Sequence, residues 1–140
     1  MRLSRVGLER VVGWLGGGIS EWKQAGFPVD TVEQETVQEL QDRLVRGKAG
    51  LGEPFQIVDV RRDGEWSAGH IGGAFHAPLH VLEDHAAYLD PDRRTYVICG
   101  GGYRSVMGAG ILRELGVRDV VDVKGGMAEW KTQGLPTSVA

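Results

Sequence analysis

Thr95-Tyr96-Val97-Ile98-Cys99-Gly100-Gly101-Gly102-Tyr103-Arg104-Ser105 is the stretch on which the reading of this chain turns. Thr95–Ile98 is a short apolar, β-branched and aromatic run, the signature of a strand buried on both faces. It ends at the one cysteine of the chain, crosses three glycines and enters residues 105–115. These read as a helix closed by Gly116, a residue suited to a left-handed C-terminal cap. The unit is therefore strand, tight loop, helix. In parallel α/β sheets, ligands bind where such a loop leaves the carboxyl end of a strand.

The loop has a definite chemistry. Glycines allow successive backbone N–H groups to turn inward toward one point. The helix N-terminus and Arg104 add positive potential there. A thiolate is the nucleophilic form of cysteine, and this is a place that favours negative charge. A free cysteine at a strand end is often no more than core, but the three glycines and Arg104-Ser105 behind it argue for a working thiol.

Outward from this unit, the same alternation recurs. Phe55–Val60 is a second buried-strand candidate, bounded by Pro54 and charged residues. Thr36-Val37-Gln38-Glu39 is a capping-box signature opening a helix over residues 37–46, with Val37, Leu40, Leu44 and Val45 at helical spacing. Asp63 is expected to cap a short turn containing Trp66, and residues 79–89 read as one further helix stopped by Asp90-Pro91. Residues 119–123 form a further short β-branched run. Strands alternating with helices predict an α/β fold with a mainly parallel sheet flanked by helices.

An internal repeat complicates the domain plan. Residues 3–28 align with 112–136, allowing one extra residue in the first copy. Leu3 pairs with Leu112, Gly7 with Gly116, Val11-Val12 with Val120-Val121, and Gly17-Gly18 with Gly125-Gly126. Glu21-Trp22-Lys23 then matches Glu129-Trp130-Lys131, Gly26 matches Gly134 and Pro28 matches Pro136. The expectation is a partial repeat over 1–29, built as strand (10–15), turn and helix without an active-site loop, followed by a complete domain over 30–140. The apolar Val11, Val12, Trp14 and Leu15 would lack strand neighbours of their own.

Composition bounds the partners. The chain has 140 residues with a formal charge of -3, so it lacks the basic excess of a nucleic-acid groove. A single cysteine allows no intrachain disulfide, which fits a reducing compartment. No apolar run approaches a membrane span, and the N-terminus lacks a signal-peptide core; a cytoplasmic protein is expected. His70, His76, His80 and His85 do not form a convincing metal set, because Pro78 interrupts a helix through His76 and His80. Gly100-x-Gly102-x-x-Ser105 lacks the third glycine of a dinucleotide loop. No cofactor is expected.

Taken together, the motifs resemble the rhodanese (sulfurtransferase) homology domain over about residues 30–140. Cys99-Gly100-Gly101-Gly102-Tyr103-Arg104-Ser105 is similar to that family's C-x-x-x-x-R-S loop. Asp59-Val60-Arg61, Glu65-Trp66, Gly69-His70-Ile71-Gly72-Gly73-Ala74, Pro78 and the closing Gly125-Gly126, Trp130 and Gly134-Leu135-Pro136 occur in the family's order. The resemblance implies that Cys99 takes a sulfane sulfur from thiosulfate or a persulfide donor and passes it to a thiol or cyanide acceptor. It implies that the loop Gly100, Gly101, Gly102, Tyr103, Arg104 and Ser105 binds the substrate, with Arg104 holding the donor's anionic group or the loop itself. Cysteine phosphatases of similar architecture carry five residues between Cys and Arg; here there are four, which suits a sulfur atom better than a phosphoryl group. The tandem also resembles the C-terminal part of fusions between a metallo-β-lactamase-fold domain and rhodanese domains. That implies an upstream partner domain, or a homodimer formed through residues 1–29. A rival expectation is a binding or regulatory module of the same fold with little turnover.

Overall fold

Side-chain alternation along three central strands builds the core. The structure is a computed structural model and describes residues 10–139. Five strands, β1 (Glu33–Thr36), β2 (Phe55–Asp59), β3 (Phe75–His76), β4 (Arg94–Ile98) and β5 (Val120–Lys124), form one all-parallel sheet in the order β1-β5-β4-β2-β3. The α/β class expected from the sequence is the class observed. Ile57, Tyr96, Ile98, Val121 and Val123 face one side, where Val37 and Leu40 of α2 (Val37–Lys48) and Met127 and Trp130 of α6 (Gly126–Thr132) cover them. Val58, Val97, Cys99 and Val120 face the other, against Leu82 of α4 (Leu82–His85) and Ala109 and Leu112 of α5 (Tyr103–Glu114). Strands buried on both faces need apolar residues at consecutive positions, which is why Tyr96-Val97-Ile98 carries no polar alternation.

The capping box at Thr36 forms: its hydroxyl accepts from Glu39 N at 3.2 Å while the Glu39 carboxylate accepts from Thr36 N at 2.7 Å. The helix it starts runs two residues beyond the expected end, to Lys48. Two elements escape the apolar pattern. The first, β1, is almost entirely polar. Gln34 holds it by donating to the buried Asp122 of β5 at 2.7 Å, while the Glu35 carboxylate accepts from Arg43, Arg94 and Tyr96. The second, β3, is only two residues long.

The helix expected over 79–89 is corrected. It breaks into a 3-10 turn at Leu79–Val81, the short α4 and a second 3-10 turn at Ala86–Tyr88. Val81, at φ -124° and ψ 11°, leaves the helical region, and Leu82 still reaches full burial. Packing has overridden local propensity here. Asp63 does not cap; Arg62 holds that position, and Asp63 is the first residue of α3 (Asp63–Ser67).

The chain divides into two units, one ending at Thr31 and the other starting at Val32. In the first, the strand expected at residues 10–15 is absent: the segment has no regular structure. Its counterpart β5 is held by ladders to β1 and β4 on both sides, and the described part of the first unit offers no strand to play that role. Val12 and Trp14 are accordingly 98% and 87% exposed. The rest of the repeat does reproduce, bond for bond. In α1 (Gly18–Gln24), Phe27 N donates to Trp22 O at 3.3 Å and Trp22 Nε1 to Pro28 O at 2.8 Å. In and beyond α6, Leu135 N donates to Trp130 O at 3.1 Å and Trp130 Nε1 to Pro136 O at 2.9 Å. The part of the repeat expected at residues 3–9 lies outside the described residues.

An unpartnered apolar segment promotes association. A chain lacking residues 1–29 is expected to fold with its melting transition nearly unchanged and to show a different sedimentation profile or higher solubility. Loss of the cooperative melt would instead place the segment in the core.

Candidate active site

Cys99 follows directly on β4, with its side chain on the α5 side of the sheet and 1% exposure. The loop then reverses sharply at Gly102, which sits at φ 89° as the N-cap of α5. That left-handed turn carries the Gly102 N–H back to donate to Cys99 Sγ at 3.1 Å. The buried Ser105 hydroxyl, in the first turn of α5, lies 3.4 Å from the same sulfur. A backbone amide and a hydroxyl thus converge on Sγ at the start of a twelve-residue helix, whose dipole favours an anion there.

The loop's carbonyls are held from the opposite side. Met127 N donates to Cys99 O at 2.7 Å and Ala128 N to Gly100 O at 2.8 Å, from the first turn of α6. This approach needs glycine: at Gly126 (φ 58°) an added Cβ would collide with the Cys99 and Gly100 carbonyls. At Gly18, the matching position in the first unit, nothing lies within 4 Å of such a Cβ.

Arg104 does not reach out freely. Its Nη1 and Nη2 each donate at 2.7 Å to the two carboxylate oxygens of Glu65, on α3. Glu65 also accepts from Arg62 N at 3.3 Å. Its carboxyl is held down to about 2, chiefly by the Arg104 hydrogen bonds, and the Arg104 guanidinium is raised in return by Glu65. A bidentate pair of this kind fixes a planar group in one orientation. Gly100 lies in the angle of the pair, where a Cβ would come within 3.1 Å of Arg104 Nη2. Arg104 was expected at the donor's anionic group or at the loop itself; its observed side-chain contact is to neither, but to Glu65 of α3.

A second pair ties the segment before α3 to the one after it. Arg61 donates to buried Asp59 through Nε at 2.9 Å and Nη2 at 2.7 Å, and to Gly69 O at 2.8 Å. Trp66 stacks with two imidazoles, its ring centroid 3.5 Å from that of His70 and 4.6 Å from that of His76. These rings are tied to backbone carbonyls: His70 Nδ1 to Trp66 O and His76 Nε2 to Arg61 O.

Over the outer side of the loop opens a cleft of about 630 Å³, lined by Gly100 and Gly101, by Arg61 and Glu65, and by Met127 and Lys131 of α6. The structure therefore gathers Gly100 and Gly101 at the cleft, sets Gly102 and Ser105 against the sulfur, and pairs Arg104 with α3. Tyr103 turns to solvent at 51% exposure, away from any such contact. Glu65 had no role in the sequence beyond its place in a motif; a carboxylate 39 residues from its arginine leaves no local signal.

A cysteine set by a strand–loop–helix turn at the carboxyl end of the central strand of a five-stranded parallel sheet defines an α/β protein with a thiol site. The model of the rhodanese-like domain matches residues 36–133, and the chain belongs to that family. Among curated proteins, the chain is 33% identical over 95 residues to the putative sulfur carrier protein YrkF of Bacillus subtilis, covering 68% of this chain and 51% of that protein. It is 37% identical over 75 residues to the thiosulfate sulfurtransferase GlpE of Pseudomonas putida, covering 54% of this chain and 68% of that one. The chain spans 46% to 60% of the length of three curated relatives, YrkF among them. Among solved structures, the rhodanese-like domain of the Anabaena protein Alr3790 matches with a TM-score of 0.69 at 35% identity, over 79% of this chain and 81% of that domain. No helix among the described residues is long and apolar enough to cross a membrane.

Proposed function

We propose that the chain is a single-cysteine sulfurtransferase working through a Cys99 persulfide. The observation that carries this reading is the Gly102 amide aimed at Cys99 Sγ inside a glycine loop on a helix N-terminus. The Cys99 thiolate attacks the outer sulfur of thiosulfate; the S–S bond breaks and sulfite leaves with its electron pair. The new Cys99 persulfide carries its charge on the terminal sulfur, where loop amides and the helix dipole stabilise it. A thiolate or cyanide then attacks that sulfur, releasing a persulfide or thiocyanate and restoring the Cys99 thiolate.

One sulfur atom is the whole transferred group, so a nearly buried thiol needs only a narrow opening. The relatives named for sulfur carriage and sulfur transfer support the class of reaction. With one cysteine among these 140 residues, the acceptor thiol lies outside them. Residues 1–29, of which 17–28 share the local structure of α6 and its exit, are proposed as a contact surface for another unit of the same fold.

Intact-mass measurement after thiosulfate treatment tests the reading. The expected result is a gain of one sulfur, reversed by cyanide. An unchanged mass would leave a binding module on the rhodanese fold as the better description.

A further inference from the structure

We infer that Lys131, on the last helix, receives the anionic end of the sulfur donor, a role that the cysteine loop's own arginine does not fill. The inference rests on the sulfurtransferase reading and adds to it a residue that meets the donor.

Charge bookkeeping around the cleft leads there. Three cations bear on it: Arg61, Arg104 and Lys131. Arg61 is 3% exposed and spends its guanidinium on Asp59 and on Gly69 O. Arg104 spends both terminal nitrogens on Glu65. Each pair is neutral as a unit, and a donor that displaced either carboxylate would leave it without its cation. Lys131 has no such partner: no described carboxylate pairs with it, and the nearby Glu129 carboxylate accepts from Gln133 at 2.8 Å. It projects from the last turn of α6 into the lining of the same cleft as Gly100 and Gly101.

Thiosulfate carries two negative charges, shared between its outer sulfur and the three oxygens at the other end, which leave as sulfite. Oxygens that extend from the loop over Gly100 and Gly101 into the cleft meet Lys131, the lining cation for which no carboxylate partner is described. A flexible ammonium in a wet cleft is a point charge, not a rigid fork. Its contribution is therefore attraction and orientation, modest in size and sensitive to salt.

The test is steady-state sulfur transfer to cyanide by the whole chain and its Lys131→Gln, Lys131→Glu and Lys131→Arg variants. Two donors are compared: thiosulfate, and the monoanion benzenethiosulfonate, which releases benzenesulfinate by the same attack. Lys131→Gln should raise KM for thiosulfate roughly fivefold with kcat little changed. Lys131→Glu should raise it further, and Lys131→Arg should restore it. The effect should be smaller for the monoanion. The wild-type KM for thiosulfate should rise with salt, and that rise should flatten in Lys131→Gln.

An unchanged KM for thiosulfate in both charge-removing variants, with wild-type loading intact, would overturn the assignment and leave the sulfurtransferase reading standing. A fall in kcat at constant KM, or an equal effect on both donors, would also overturn it. A wild-type chain that takes no sulfur from either donor would bring down both.

Discussion

Cys99→Ser should take no sulfur from thiosulfate, with turnover falling by about three orders of magnitude or more. Serine is close to cysteine in shape, but its hydroxyl is a far weaker nucleophile toward divalent sulfur and forms no persulfide. The fold should survive. Position 99 is buried, yet a hydroxyl placed there finds the Gly102 N–H and the Ser105 hydroxyl within reach of the present sulfur, so it is not left unsatisfied. The stability cost should stay near ~1 kcal/mol. Mass spectrometry for the added sulfur, thiocyanate formation for turnover and a thermal melt for the fold check this together. A folded serine variant that still turns over would remove Cys99 from its role.

Breaking the Arg104–Glu65 pair should come next in size. The pair acts on the loop, so Arg104→Ala and Glu65→Gln should both lower kcat, by roughly ten- to a hundredfold, although Glu65 is a positioning residue with no contact to the sulfur. A purely donor-binding Arg104 would show its loss in KM and leave Glu65→Gln close to wild type. Arg104→Lys should fail to rescue, because one ammonium cannot span both carboxylate oxygens as the guanidinium does. The double variant should be little worse than either single one, as residues acting as a unit are not additive.

The pair also has a pH signature. The Glu65 carboxyl titrates at about 2 in the folded chain against an ordinary 4.5, so the unfolded state binds its proton first as acid is added. Its stabilising contribution is complete above about 4.5 and is lost as pH falls toward about 2. Glu65→Gln should therefore flatten the acid limb of the stability profile in that window and lower the plateau above about 4.5 by the same modest amount. The Glu65 side chain is 39% exposed, so solvent keeps this contribution modest. Acid titrations of the two melts, side by side, measure it.

The loop and its strand were readable in the sequence because both rest on local constraints. An apolar run, a cysteine, three glycines and an arginine specify a turn without help from elsewhere. The capping box at Thr36 was legible for the same reason. What escaped depends on distant partners. The polar β1 is a strand only because Asp122, Arg43 and Arg94 meet its side chains. Residues 10–15 carry the composition of β5 but not its neighbours, so the same letters give a strand in one place and none in the other. Arg104 was visible as a cation at the loop; that it faces Glu65 could be seen only once α3 and α5 were side by side.

The clamp that α6 places on the Cys99 and Gly100 carbonyls also bears on the order in which the site is completed. A chain is synthesised from its N-terminus, and early segments begin to fold first. By then Cys99 and its glycine loop have been made, but the amides of Met127 and Ala128 that fix the loop's back have not. Trp130, buried to 1% and bonded to Pro136 O, and the bridge from Ser138 to His70 secure that helix only with the last residues of the domain. The back of the thiol's cradle is therefore expected to close only after residues 127–138 have been made, and a chain cut before them should hold its Cys99 and Gly100 carbonyls unclamped.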